Sequence, residues 1–185
     1  HLTDPDYVTS GTDGGLYESF DGGASWRYID NLPVIQYYKV AVDDAVPFYN
    51  IFGGTQDNNS QGGPSATDTR EGAGNGDWFV TLGGDGHQSA TEPGNPNITY
   101  AQSQQGNLHR IDQITGEATY IVPQPGPGEG PERYNWDAPI LVSPHDPATL
   151  YFASQRVWTS TNRGDSWTAI SGDLTRNQER FEQPI

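Results

Sequence analysis

The sequence predicts an all-β chain of short antiparallel strands, and three observations point that way. Glycine and proline, 23 and 14 residues, make up a fifth of the 185, against roughly 12% in average usage. A chain so composed turns often. Yet it carries 5 Trp, 10 Tyr and 6 Phe, and poverty in aromatics is what marks disordered chains. The third observation is a short scheme of strand, tight turn and strand that recurs along the chain.

The scheme justifies each element in order. Tyr7–Ser10 reads as a strand, Gly11–Gly15 as a turn, Leu16–Ser19 as a strand, Phe20–Ser25 as a turn and Trp26–Ile29 as a strand. Thr149–Ile170 repeats it, with strands at Thr149–Ser154, Val157–Ser160 and Trp167–Ile170. A weaker copy spans Ile98–Ile121. The anchors Leu16, Leu108 and Val157 lie 92 and 49 residues apart. Because 92 is twice 46, a further copy belongs near residue 62, between the strand-like runs 49–54 and 78–82. Each full copy is preceded by one more strand: Tyr38–Val42, His87–Ala90 and Pro139–Val142.

Four strands repeating every 40–50 residues are the signature of propeller blades. The expected fold is therefore a β-propeller fragment of about three and a half four-stranded antiparallel blades. Residues 1–37 form a partial blade, its second to fourth strands. Residues 38–86 form a blade with a long loop at 56–77, and residues 87–137 a blade plus a Pro/Gly spacer. Residues 138–172 form a third blade, and 173–185 link to the next, the only place where a short helix fits. Closed propellers have typically 4–8 blades. The remainder of the same propeller, or another chain, is thus the expected partner that covers the terminal faces.

Charge narrows the function classes. Nine Lys and Arg face 24 Asp and Glu, a net of −15. A phosphate backbone would be repelled, so nucleic acid is not an expected partner, and neither is an anionic membrane surface. No run approaches the ~18 apolar residues of a membrane span, so membrane insertion is not expected. With no cysteine there is no disulfide and no thiolate chemistry. The chain begins at His1 and contains no methionine, as a processed product or a fragment would.

Two octapeptides carry the strongest local signal. Ser19, Asp21, Gly23 and Trp26 fall in the pattern S-x-D-x-G-x-S-W, and Ser160, Asn162, Gly164 and Trp167 in the same pattern with Asn for Asp. The Asp or Asn side chain accepts bonds from turn N–H groups. The Gly takes a positive φ, and the Trp opens the outer strand and packs between blades. Trp26 and Trp167 are expected at equivalent buried positions, and the acids of the turns, Asp21 and Asp165, are read as structural.

This pattern resembles the Asp box of bacterial-neuraminidase (BNR) repeats. Gly53–Asn58, Asp77–Val80, Gly83–Gly86 and Ser143–Pro147 extend the resemblance to large bacterial secreted Asp-box proteins. These are glycosyl-hydrolase-like or sortilin-type repeat proteins, similar in turn to tandem-propeller xyloglucanases. The resemblance implies a secreted protein, extracellular or periplasmic. It implies a binding or scaffold module for glycan or protein ligands. It leaves open a glycoside hydrolase and a sortilin-like peptide-binding or assembly propeller.

Propeller topology gathers the loops between second and third strands, and those leading into first strands, on one rim. The residues placed there are Asp13, Gln56, Asp57, Asp85, His87, Arg133 and Trp136, the expected ligand-binding set. Tyr37, Gln104 and Gln105 fall on the same loops. Aromatic platforms among acids and amides suit sugars, whose rings stack and whose hydroxyls bond. The same acids also suit ordinary turns. Asp13 is the catalytic candidate, because Thr12–Gly15 resembles a stretch near a catalytic acid of the xyloglucanases. Its second acid would lie outside this chain. Sialidase chemistry needs an arginine cluster and a tyrosine nucleophile, and only Arg133 falls on the rim. No cofactor is expected. Calcium remains open, though no contiguous calcium-loop motif exists.

Overall fold

The computed structural model describes residues 1–32 and 34–183. The chain divides into two compact units, His1–Ile35 and Gln36–Ile185. Pro33 and the last two residues of the expected 173–185 link lie outside the described residues.

The first unit is one antiparallel sheet of β1 (Val8–Thr12), β2 (Gly15–Ser19) and β3 (Arg27–Tyr28), in that order. Its inner polar anchor is Glu18, only 6% exposed. Glu18 accepts the Tyr7 hydroxyl at 3.0 Å and also binds the Arg27 guanidinium.

The second unit holds three four-stranded antiparallel sheets. The first comprises β4 (Val40–Val42), β5 (Asn50–Gly54), β6 (Ser60–Pro64) and β7 (Phe79–Leu82). The second comprises β8 (Ala90–Glu92), β9 (Asn95–Ser103), β10 (Asn107–Asp112) and β11 (Ala118–Tyr120). The third comprises β12 (Ile140–Val142), β13 (Leu150–Ala153), β14 (Val157–Ser160) and β15 (Thr168–Ala169). Within each sheet the strands lie side by side in chain order, and the first strands β4, β8 and β12 are neighbours from sheet to sheet. The chain is a β-propeller fragment: three blades plus a sheet that lacks a first strand.

Strand periodicity explains the packing. In β12, Ile140 and Val142 are buried while Leu141 between them is 58% exposed. Ile140, Leu150 and Phe152 of the third sheet meet Tyr100 and Leu108 of the second in the main apolar core. Each such side chain, fully buried, contributes about 1.5–3 kcal/mol. Hydrogen bonds pin neighbouring blades: Thr91 Oγ1 donates to the Val42 carbonyl at 2.7 Å, and Gln88 Nε2 to that of Ile140 at 2.9 Å. Arg163 forks onto Glu92 with two 2.8 Å bonds.

Four expectations need correction. The stretch 56–77 is not one loop, because Ser60–Pro64 forms β6 within it. The turn between second and third strands is then short, and the long connection runs from third to fourth strand. The first strand of the second blade begins at Ala90, not His87; His87 lies in the lead-in. Near 173–182 there is only a 3-10 turn, Arg180–Glu182. Finally, Trp26 and Trp167 are not equally buried. Trp26 is 47% exposed, whereas Trp167 packs against the core and donates its indole N–H to the Ile121 carbonyl at 2.7 Å. No second sheet stands beside β1–β3 within its unit to cover Trp26.

Candidate functional site

The loops leading into the first strands of the three full blades converge. Lys39 immediately precedes β4, while His87 and Asp137 each stand three residues before β8 and β12. Lys39 Nζ lies 3.8 Å from Asp137 Oδ2, and Asp137 Oδ1 lies 3.8 Å from His87 Nδ1. This line of side chains thus runs across all three blades. Lys39 also reaches Gln88 Oε1 at 3.4 Å.

His87 is fully buried. The sequence permits this because β5 ends in glycine: a Cβ on Gly54 would collide with the backbone of Gly86 and His87. The His87 amide donates to the Gln102 carbonyl at 3.3 Å. Two aromatic rings enclose the imidazole. Tyr38 lies 4.6 Å away between centroids and Trp136 stands edge-on at 6.2 Å and 89°. Both remain open to solvent, 47% and 42% exposed. Neither imidazole nitrogen has a hydrogen-bond partner, and neither does the buried Asp137 Oδ1.

A polar rim continues from this pair. Tyr38 donates its hydroxyl to Gln56 Oε1. The Asp57 amide donates to Asp85 Oδ1 at 2.8 Å, and the Asp85 amide to Gln104 Oε1 at 3.0 Å. Asp85 and Gln104 therefore act here as turn-holding acceptors, and Asp57, at φ 63°, sits in the left-handed region that Asp tolerates better than most residues.

Of the expected ligand-binding set, the structure brings Gln56 and His87 against Tyr38 and Trp136 against His87, with Asp57 and Asp85 on the adjoining turns. Arg133 is engaged by loops around the third blade. Its guanidinium binds Asp173 at 2.6 Å and Thr175 at 3.1 Å, and its amide donates to Gln155. Asp13 belongs to the first unit and lies exposed at the β1–β2 turn. There the Thr12 hydroxyl accepts the Gly14 amide at 3.1 Å and donates to the Gly15 carbonyl at 3.2 Å.

Sequence reasoning left Tyr38, Lys39 and Asp137 out of its ligand-binding set. It placed Tyr37 on the rim instead. Tyr37 lies over Gly53 on the sheet face and stacks with Trp78 at 6.4 Å. Alternation along the lead-in to β4 sends neighbouring residues to opposite sides, so a one-residue slip exchanges the two tyrosines. The available signal was the shared position just before each first strand.

Among the described residues, no group of three or more His, Asp or Glu is placed to hold a metal ion, and no helix is long and apolar enough to cross a membrane.

No known family pattern matches the chain, and no curated protein does. Among solved structures, it is similar to a GH74 enzyme from Niastella koreensis at 15% identity, with a TM-score of 0.49 over 90% of this chain and 28% of that one. It is similar to a GH74 xyloglucanase from Xanthomonas campestris at 17% identity, with the same TM-score and the same coverage of both chains. The chain spans 28% of the length of either enzyme.

Proposed function

We propose that this propeller fragment is a carbohydrate-binding module, with its contact surface at the lead-ins to β4, β8 and β12. One observation carries the reading. Two half-exposed rings, Tyr38 and Trp136, flank a fully buried histidine beside a carboxylate, an ammonium and an amide. Sugar rings stack on aromatic faces, and their hydroxyls need donors and acceptors in the same small area. The reading calls for no cofactor.

Three further proposals belong with it. The two octapeptide turns are Asp boxes, with no part in binding. The protein works outside the cytoplasm. Further blades, from the same chain or another, cover the free face of the third sheet. Support for the last comes from comparing blades: Phe52 and Tyr100, laid toward the following sheet, are 1% and 0% exposed, while Tyr151 is 37% exposed and Leu141 58%.

A glycan array followed by calorimetric titration tests the function. Trp136→Ala should weaken binding about fivefold or more, since an aromatic contact is worth on the order of 1 kcal/mol beyond its area. Asp21→Ala should reduce stability and leave affinity unchanged. Loss of binding in the Asp21 variant, with Trp136→Ala unaffected, would place the site on the wrong loops and end the reading.

A further inference from the structure

Among the described residues, seven buried side-chain nitrogen and oxygen atoms have no hydrogen-bond partner. Three of them, His87 Nδ1, His87 Nε2 and Asp137 Oδ1, belong to one pair of side chains. Buried polar atoms are ordinarily satisfied, so this concentration needs a reason. Neither side chain reaches the other: 3.8 Å is beyond a hydrogen bond. All three atoms are closed to solvent as they stand, so a ligand reaches them only once a neighbouring side chain moves; one oxygen atom could then sit about 2.8 Å from both Nδ1 and Oδ1. The group that satisfies both must donate to a carboxylate oxygen and accept from an imidazole N–H. A hydroxyl does both; a carboxylate or an ammonium does only one.

We propose that His87 Nδ1 and Asp137 Oδ1 jointly receive a single hydroxyl of a neutral sugar whose ring rests on Trp136, and that this pair selects neutral over acidic sugars. The inference rests on the carbohydrate reading above. Lys39 is the side chain that shifts, giving up Gln88 while it stays on Asp137 Oδ2. It is half exposed, and its contacts with Asp137 and Gln88, 3.8 and 3.4 Å, are both long. Once the hydroxyl is seated, Lys39 keeps its hold on Asp137 Oδ2, the opposite oxygen. That leaves Oδ1 as the acceptor. A uronic acid would bring a second carboxylate against Asp137, with Asp85 on the adjoining turn and Lys39 already engaged by Asp137. In this scheme Nδ1 donates its N–H to the hydroxyl oxygen. Tyr38 and Trp136 fix the plane of the imidazole.

The test uses the intact protein and three β-1,4-linked probes of one configuration that differ mainly in charge: cellotetraose, its C6-oxidised uronate (the β-1,4-glucuronic acid tetramer) and chitosan tetraose. Cellotetraose should bind at least about tenfold more tightly than the uronate. His87→Phe, which preserves the ring packing, and Asp137→Asn should each weaken cellotetraose about tenfold, the range for a hydrogen bond to a charged group. The double variant should be no worse than either single one, because both act on the same hydroxyl. If His87→Phe does not fold, monodeoxy glucosides titrated against the unaltered protein decide. One deoxy position should lose about tenfold; small, even losses at every position would overturn the proposal. If Trp136→Ala abolishes binding while His87→Phe and Asp137→Asn leave it unchanged, the carbohydrate reading stands and this pair is not its selector. If none of the three probes binds the unaltered protein, both fall together.

Discussion

The turns Ser19–Trp26 and Ser160–Trp167 are built alike, almost atom for atom. In the first, the Ser19 hydroxyl donates to Asp21 Oδ1 at 2.8 Å and accepts the Gly23 amide at 2.8 Å, while the Ser25 amide donates to Asp21 Oδ1 at 2.8 Å. In the second, Ser160 makes the same two bonds to Asn162 and Gly164 at 2.9 Å, and the Ser166 amide meets Asn162 Oδ1 at 2.9 Å. Gly23 and Gly164 share a left-handed backbone, φ 93° and 89°. Beyond the turn, likeness ends. Trp26 is 47% exposed, and Gly22 has no side chain to reach out with. Trp167 is packed, and Arg163, in the place of Gly22, clasps Glu92 of the preceding blade. The octapeptide encodes a local hydrogen-bond cycle. What its Trp and its variable residue contribute depends on whether a neighbouring sheet is present.

The largest expected effect tests this directly. Trp167→Ala should destabilise the protein by about 3 kcal/mol, the low end for a large core aromatic. It would remove the bond to Ile121 and the ring contact with Phe152 at 6.3 Å. Trp26→Ala should cost under about 1 kcal/mol, as expected of a residue away from the core. Urea unfolding midpoints measure both. Equal losses would mean that the Trp stabilises the turn itself rather than the packing between blades.

Arg163→Gln should come next. Glu92 is 2% exposed and also accepts the Tyr100 hydroxyl and the Asn95 amide. Burial raises its carboxyl pKa, but Arg163 and these hydrogen bonds outweigh burial, and the net shift is downward. Removing the arginine would leave a buried carboxylate without its counter-ion. Such a break costs about 3–5 kcal/mol when both partners are buried. Arg163 is 45% exposed, so about 2 kcal/mol is the expected loss after screening. A change below about 0.5 kcal/mol would show that the pair is incidental to the joint between these blades.

The same contrast explains what could be read in the sequence. The repeat, the turns and the position of a further copy near residue 62 were legible, because period-2 patterning and turn chemistry are local and the spacing of the anchors is regular. Gly62 indeed lies in β6. Register was less legible: β6 was read as loop because Ser60–Pro64, with two glycines, carries little apolar pattern. Its glycines are instead filled by rings from elsewhere, Phe52 over Gly62 and Trp78 over Gly63. For the candidate site, His87, Gln56 and Trp136 were placed together by loop topology. That Arg133 is tied up by Asp173 and Thr175 is visible only in the fold. Tyr38 was missed through the one-residue slip at Tyr37.

The smallest expected effect separates the two turns by pH. Asp21 is held down to about 2 from an ordinary 3.8, first by the Ser25 hydroxyl, then by the Ser25 amide and the Ser19 hydroxyl. A group whose folded pKa is depressed stabilises the fold above its unfolded pKa, and that contribution is lost as pH falls through the folded value. The Asp21 turn should therefore weaken between about pH 4 and pH 2. The Asn162 turn has nothing to titrate. There the serine reverses role: Ser25 donates its hydroxyl to Asp21 Oδ2 at 2.6 Å, whereas Ser166 accepts from Asn162 Nδ2 at 2.9 Å. That reversal predicts that Asp21→Asn keeps the turn intact, with Ser25 rotating to accept. Other carboxylates, Asp173 among them, will also make the protein acid-sensitive, so the informative quantity is a difference. The thermal midpoint lost between pH 7 and pH 2.5 should be smaller in Asp21→Asn than in the unaltered protein, and larger in Asn162→Asp. Identical losses in all three would mean that the carboxylate is no better held in this turn than in the unfolded chain, and that Asp and Asn are interchangeable there for geometric reasons alone.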